Sequence, residues 1–184
     1  MGSMSGIHIP VSQHQLQPWK NGLGVSRIIA TEPAGADFDT MLWQVSGTEI
    51  GADCPFSELK GLDRLFMVTE GAGVDLTSIN DAGRKWTARV KVGQVPYAFR
   101  GGWKTDCRLL DGPVQVFNVM ARRGKARASV EFPGGTTMTK AAGETAIAVH
   151  LSSLGAWMLS GPGAESVSIS PPTGPVALVR IARG

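Results

Sequence analysis

The residue types best suited to gripping a small molecule cluster in Gln17-Pro18-Trp19-Lys20-Asn21-Gly22-Leu23-Gly24. Asn21-Gly22 is a strong turn signal, because both residues tolerate left-handed backbone. Residues 25–31 behind it alternate as a strand does, placing Val25, Arg27 and Ile29 on one face and Ser26, Ile28 and Ala30 on the other. An indole and an ammonium, Trp19 and Lys20, therefore flank a tight turn at a strand end, where binding groups are often mounted. The same two residues would serve equally as a hydrophobic plug beside a solvated lysine. Two more groups stand out. Asn118 shares an otherwise apolar strand face with Val114, Val116 and Met120. Left unpartnered, its amide would cost roughly 1–3 kcal/mol, so it bonds a neighbouring backbone or a ligand. Arg64 enters a strand on the face of Phe66 and Val68, where its fork fits a carboxylate. That carboxylate is either a ligand's or one of Asp53, Glu58 and Asp111.

Other chemistries lack their residues. His8, His14 and His150 show no HxH or HExxH spacing, and no Cys/His cluster suggests zinc, so no metal is expected. No phosphate loop, dinucleotide fingerprint or GxSxG elbow occurs, and no carboxylate pair suggests an acid–base couple. No catalytic residue and no cofactor are assigned. Cys54 and Cys107 form no CxxC and no disulfide framework; they read as reduced, partly buried thiols of a cytoplasmic protein. A net charge of +3 is too small to imply nucleic acid. The basic cluster Arg122, Arg123, Lys125 and Arg127 lacks interleaved aromatics and reads as a solvated loop. No apolar run approaches a membrane span.

These groups must be positioned by strands. The 184 residues hold 24 glycines and 11 prolines spread along the chain, with 42% apolar residues, the pattern of many short strands joined by tight turns. Residues 38–46 alternate, with Met41, Trp43 and Val45 opposite Leu42, Gln44 and Ser46. Residues 65–76 read as a glycine hairpin, 89–92 as a short strand, and 114–121 as a central strand apolar on both faces. Residues 53–60 could hold one helical turn. Residues 145–150 and 176–181 are strands in a Gly/Ser/Ala-rich C-terminal third. The strand–glycine–strand pattern near 65–73 echoes that near 147–155, roughly 80 residues on, which suggests two related β-lobes. Residues 1–6 read as an expression remnant and start, and 7–184 as one unit with a lobe boundary near 111–140.

In this order, PWKNGLGVSR (18–27), WQVS (43–46), PFS (55–57), GLDR (61–64), EGAGVDL (70–76), YAFRG (97–101) and GPVQVFNVMARRG (112–124) resemble the HutD/Ves family. The resemblance implies an all-β, cupin-type (RmlC-like jelly-roll) barrel in a double-barrel, bicupin arrangement with a metal-free pocket. One branch of that family accompanies histidine utilisation and is suggested to bind a small acidic intermediate as a regulator; another is linked to stress. Carried onto this chain, the implied pocket residues are Trp19, Lys20, Asn21, Ser26, Arg27, Arg64 and Asn118. Trp43 as an apolar wall, Ser46 and Met120 complete the expected ligand-binding set. The chain departs from the family pattern at Ile28 and Val116, where acids are usual, and at Arg100-Gly101-Gly102, where an aspartate is common. These changes make the pocket less acidic.

The expected function is metal-independent binding of a small anionic metabolite, an organic acid or amino-acid derivative, in a regulatory protein that is not an enzyme. It has no nucleic-acid or membrane partner, and a homodimer is compatible with the sequence. One alternative is a cupin isomerase or epimerase using His150 and Tyr97. Another is a protein-interaction module presenting a sheet edge or the Arg122–Arg127 loop.

Overall fold

The computed structural model describes residues 6–133, 137–169 and 174–184; residues 1–5, most of the expected remnant, lie outside them. The described chain is all β apart from one 3-10 turn at Val11–Gln13. Its strands are β1 (Ile7–Ile9), β2 (Gln15–Pro18), β3 (Val25–Glu32), β4 (Trp43–Ile50), β5 (Cys54–Pro55), β6 (Leu62–Glu70), β7 (Val74–Ile79), β8 (Lys85–Val90), β9 (Tyr97–Arg100), β10 (Lys104–Leu109), β11 (Val114–Arg122), β12 (Ala126–Glu131), β13 (Thr137–Lys140), β14 (Glu144–His150), β15 (Ala156–Leu159), β16 (Glu165–Ser168) and β17 (Val176–Arg183).

They form four layers. The six-stranded sheet β2-β3-β4-β11-β6-β9 carries the four-stranded sheet β5-β10-β7-β8 on one face, around Phe56, Phe66, Val74, Leu76, Val90, Phe99 and Cys107. Its other face meets the five-stranded sheet β1-β15-β14-β17-β12 across Trp43, Val45, Met67, Phe117, Val119, Ile147, Val149 and Val179. The pair β13-β16 closes the far side of the five-stranded sheet over Met138, Ala146, Ala148 and Leu178. The chain passes from the first two layers to the last two between β11 and β12. β11 is central, with β4 and β6 on its flanks and both faces apolar, as its composition predicts.

Several local expectations change. Residues 65–76 are not a hairpin. Both edges of β6 are occupied, by β11 and β9, so β7 must leave the sheet and pair with β10 and β8. The glycines make a corner: Gly71 at φ 98° and Gly73 at φ 109° run so close to neighbouring backbone that an added Cβ would lie 2.7 Å from Pro113 O and 2.6 Å from Val90 O. The echoed segment does form a direct hairpin, β14 with β15, so the two patterns do different things. β4 starts at Trp43 rather than at residue 38, because residues 33–40 fold into turns in which the Asp37 carboxylate collects the N–H groups of Asp39 and Thr40. Residues 53–60 hold no helical turn; β5 adds an edge strand there. The expected closed barrels are not seen among the described residues: the sheets stack as open layers, with the six- and five-stranded sheets back to back.

The corner predicts a graded glycine experiment. Gly83→Ala, at φ 76° with nothing near its Cβ, should cost about 1–2 kcal/mol for backbone alone. Gly71→Ala adds the clash with Pro113 and should cost at least ~1 kcal/mol more by urea unfolding. Equal costs would show that the corner relaxes freely.

Candidate functional site

The side chains that could do chemistry lie between the six- and four-stranded sheets, in cross-strand rows. Ser26 faces Thr48, which faces Val116. Ile28 faces Ser46, Ser46 faces Asn118, and Asn118 faces Phe66. Gln44 faces Met120, Met120 faces Arg64, and Arg64 faces Phe99. Seven of these alternate along β4, β11 and β6, and every one of the seven is buried: Gln44, Ser46, Thr48, Asn118, Met120, Arg64 and Phe66.

Arg64 governs the site. Only 7% of it is exposed, and its guanidinium carbon lies against two adjoining rings, 5.0 Å from the centroid of Phe56 and 4.9 Å from that of Phe99, the two centroids being 6.4 Å apart. Nη2 donates to Asn118 Oδ1 at 3.2 Å; Nε has no partner. None of the candidate internal carboxylates answers it: among the described residues Arg64 makes no ion pair, and Asp53 Oδ1 instead accepts the Leu109 N–H at 2.7 Å. Burial lowers the guanidinium to about 10, so it stays charged at neutral pH. Two desolvated cation–π contacts of ~2 kcal/mol each and one charged hydrogen bond of ~2 kcal/mol offset roughly the several kcal/mol lost by desolvation. Ser46 Oγ and Gln44 Oε1 on the same face are likewise buried without partners.

The cavity beside Arg64 is lined by Trp19, Ser26, Thr48, Phe56, Asn118 and Met120 with Phe38, Ile50, Ser57, Leu59 and Phe66. Its free volume is about 30 Å³, room for one or two waters. The glycine turn builds one wall. Gly22 takes φ 73° and donates to Trp19 O, closing the turn. An added Cβ on Gly24 would lie 2.8 Å from the Trp19 ring, so its bare backbone lets the indole fold back. Trp19 Nε1 then donates to Ser26 Oγ at 3.0 Å, and Thr48 Oγ1 reaches Ser26 Oγ and Val25 O.

Of the ten expected ligand-binding residues, Trp19, Ser26, Arg64, Asn118 and Met120 line this cavity, and Ser46 lies on its face. Asn21 braces the mouth: its Nδ2 donates to Pro55 O and its N–H to Ser57 Oγ. The other three are elsewhere. Lys20 is exposed and pairs with Asp39 at 2.9 Å. Strand alternation turns Arg27 and Trp43 to the opposite face. Trp43 joins the core between the sheets, and Arg27 lines a groove with Glu70, Gln115 and Ser152. Phe38, Thr48, Phe56 and Phe99 were not in the expected set; for Thr48 the signal was the run Gln44, Ser46, Thr48, polar at every second position of a buried strand.

His150 and Tyr97 do not meet. Tyr97 lies on β9, its hydroxyl taken by Trp86 Nε1 at 2.8 Å, whereas His150 lies on β14 against Trp157. The pairing required by the isomerase reading is absent. The basic cluster is tied down in part: Arg122 donates to the carbonyls of Phe38, Asp39 and Met41, and Arg123 pairs with Asp63. No helix is long and apolar enough to cross a membrane, and no three His, Cys, Asp or Glu side chains gather as metal ligands, among the described residues.

The HutD family model matches residues 11–165. Protein Ves of Cronobacter sakazakii is 30% identical over 143 residues, covering 77% of this chain and 73% of its own. HutD of Pseudomonas fluorescens SBW25 superposes with a TM-score of 0.75 at 23% identity, over 97% of this chain and 98% of that one. Bacillus subtilis oxalate decarboxylase, 8% identical, matches all of this chain and 78% of its own with a TM-score of 0.56. The fold is thus cupin-like.

Two outcomes follow for the ligand-free protein. Arg64→Met, which removes an uncompensated buried charge while keeping volume, should leave urea-unfolding stability within about 1 kcal/mol of the parent or raise it. A loss above ~3 kcal/mol would make Arg64 a structural strut. Burial holds the imidazoles of His150 and His14 below their ordinary value of 6.5, Arg27 adding to the effect at His14. Between the folded and unfolded pKa values the unfolded chain binds more protons, so stability is full above about pH 6.5 and declines as pH falls below it. His150→Phe should shrink that decline in unfolding curves between pH 7.5 and 5.5; an unchanged decline would refute the assignment.

Proposed function

The chain belongs to the HutD family, and from that premise we propose that it is a metal-independent binding protein for a small organic anion, acting as a regulator. The observation that supports this most is Arg64: a buried, charged guanidinium with an unused N–H, no internal carboxylate, and a polar face beside it. A carboxylate is the complement of such a group, since it accepts from two N–H donors in one plane. The ligand carboxylate would take Nε of Arg64, with Asn118 fixing the guanidinium and Trp19, Phe56 and Met120 as apolar walls. Ser26 and Thr48 would meet a polar group further along the molecule.

Size and charge narrow the class. At about 30 Å³ of free volume the cavity as it stands suits only the smallest acid, formate. A longer organic acid or amino-acid-derived metabolite enters if Trp19 or Phe38, both contributed by loops, swings aside. No carboxylate lines the cavity, so nothing there favours a ligand ammonium group. We read the two sandwiches as a bicupin arrangement in which only the first carries the site. In the second, the fully buried Lys140 points its ammonium at the carbonyls of Ala141, Gly161 and Gly163 and fills the equivalent role internally.

Thermal shift with formate, acetate, propionate, glycolate and the carboxylic intermediates of histidine breakdown tests the proposal. At a hundredfold excess over Kd, a binding acid should add ~2.7 kcal/mol and raise Tm by roughly 5–10 °C. Arg64→Gln should abolish the shift, and Lys20→Gln and Arg27→Gln should keep it. A Tm that no acid moves at tens of millimolar, or a shift that survives Arg64→Gln, would overturn the reading.

A further inference from the structure

Cys54 and Cys107 lie 53 positions apart in the chain, yet they face each other directly across β5 and β10. Both are free thiols, Cys107 buried and Cys54 half-buried. Two positions along from the cysteines, Phe56 stands opposite Thr105, and the Phe56 N–H donates to Thr105 O at 2.8 Å. Hydrogen-bonded and non-hydrogen-bonded pairs alternate along an antiparallel ladder, so Pro55 and Asp106 form a non-bonded pair and Cys54 and Cys107 a hydrogen-bonded one. Residues opposed in that way have side chains on the same face and Cα atoms about 5.5 Å apart, inside the range of a disulfide, while their Cβ atoms are about 1 Å wider than one needs, so the bond closes as the two-residue edge strand β5 draws in toward β10.

We propose that Cys54 and Cys107 are a redox modification site that closes reversibly to a cross-strand disulfide. The oxidant is a low-molecular-weight disulfide. The Cys54 thiolate, the more exposed of the two, attacks one sulfur of that disulfide and displaces the other half as a thiolate. The Cys107 thiolate then attacks Cys54 Sγ and expels the remaining half. The protein loses two thiol protons and two electrons, and one small disulfide becomes two small thiols. Burial raises both thiols, Cys107 to about 12, with Asp53 adding to the effect, so the exchange is slow near neutrality and suits a response to sustained oxidation.

The position gives the bond a consequence, which rests on the anion-site reading above. β5 is a two-residue edge strand, and Phe56, Ser57 and Leu59 just beyond it line the cavity. Phe56 is also one of the two rings that hold Arg64. Tying Cys54 to the internal strand β10 fixes that wall, so a ligand that needs the wall to move meets a stiffer mouth once the thiols are oxidised.

The test uses the whole protein incubated with excess oxidised glutathione, quenched with an alkylating agent, and analysed as intact mass and non-reduced peptides. The expected product is about two mass units lighter than the reduced chain, takes up no alkylating group, yields a linked Cys54–Cys107 peptide, and reverts with dithiothreitol. Tm of the oxidised form should rise by roughly 5 °C or more. Cys54→Ser, at the edge of the sheet, and Cys107→Ala should each prevent the loss of mass. Two thiols still open to alkylation in unfolding buffer after prolonged oxidation, or a glutathione adduct left standing on Cys54, would overturn the proposal. Acetate titrations of the oxidised and reduced forms read the consequence separately. A linked peptide with neither acetate nor any other acid of the panel bound in either form would sink the anion site and leave the thiol pair standing, whereas binding without a linked peptide would do the reverse.

Discussion

A positive charge packed against two adjoining phenyl rings, with no negative charge to meet it among the described residues, is the constraint around which the N-terminal sandwich is arranged. Water would solvate the Arg64 guanidinium better than the protein does unless its faces and N–H groups are met elsewhere. The rings of Phe56 and Phe99 meet it from two adjoining directions, and Asn118 takes one edge. Each partner comes from a different strand or loop, so the site exists only when the six-stranded and four-stranded sheets have closed on one another. The fastening of the short β5 segment follows from this: Asn21 bonds both Pro55 and Ser57, and Asp53 caps the Leu109 N–H. A two-residue edge strand would otherwise fray, and Phe56 would leave the cation.

The central sheet serves two cores by parity. On β4, even-numbered residues face the cavity and odd-numbered ones the seam with the five-stranded sheet; on β11 and β6 the same holds. A one-residue slip would carry Arg64 and Asn118 into an apolar seam and Trp43 and Phe117 into the cavity, so the register is strongly specified. The seam also has a lock. Gly47 leaves a notch on β4, and an added Cβ would lie within 2.4 Å of the Leu154 side chain. Leu154, with φ 63°, is the one non-glycine residue at positive φ among the described residues. A side chain held in that costly conformation and seated in a notch indicates that docking of the 151–155 loop on the first sandwich outweighs roughly 1–2 kcal/mol of backbone strain.

Alternation and glycine placement made much of this legible from the residues alone. The strand at 25–31, the central strand at 114–121 and the strands at 145–150 and 176–181 needed only local periodicity, and they match β3, β11, β14 and β17. The Trp19 turn was legible because Asn21-Gly22 has one dominant local solution. What was hidden depended on contacts between distant segments. The glycines at 71 and 73 suit a hairpin and a corner equally, and only the occupation of both β6 edges decides between them. Arg27 entered the expected set by family resemblance, although the alternation of residues 25–31 already set it opposite Ser26. Phe56 and Phe99 are core residues by type; that both touch a charge depends on Arg64 lying one strand from Phe99 and on β5 folding across from the other sheet.

Two of the apolar residues that stand where the family resemblance implies acids, Ile28 and Val116, share a place in the sheet. Ile28 stands in register with Ser46 and, one strand on, Asn118; Val116 stands in register with Thr48 and, one strand on, Ser26. Both are on the face that carries Arg64. A carboxylate at position 28 would lie two strand spacings, roughly 10 Å, from the Asn118 amide that holds the guanidinium. The strand of Arg64 lies one spacing further, roughly 14 Å away, where at an effective dielectric of ~20 a charge is worth about 1 kcal/mol, roughly fivefold in affinity for an anion. An acid there would partly neutralise the guanidinium and repel an incoming carboxylate, whereas isoleucine leaves the cation unanswered. The apolar side chains at positions 28 and 116 therefore leave Arg64 without an internal ion pair on this face.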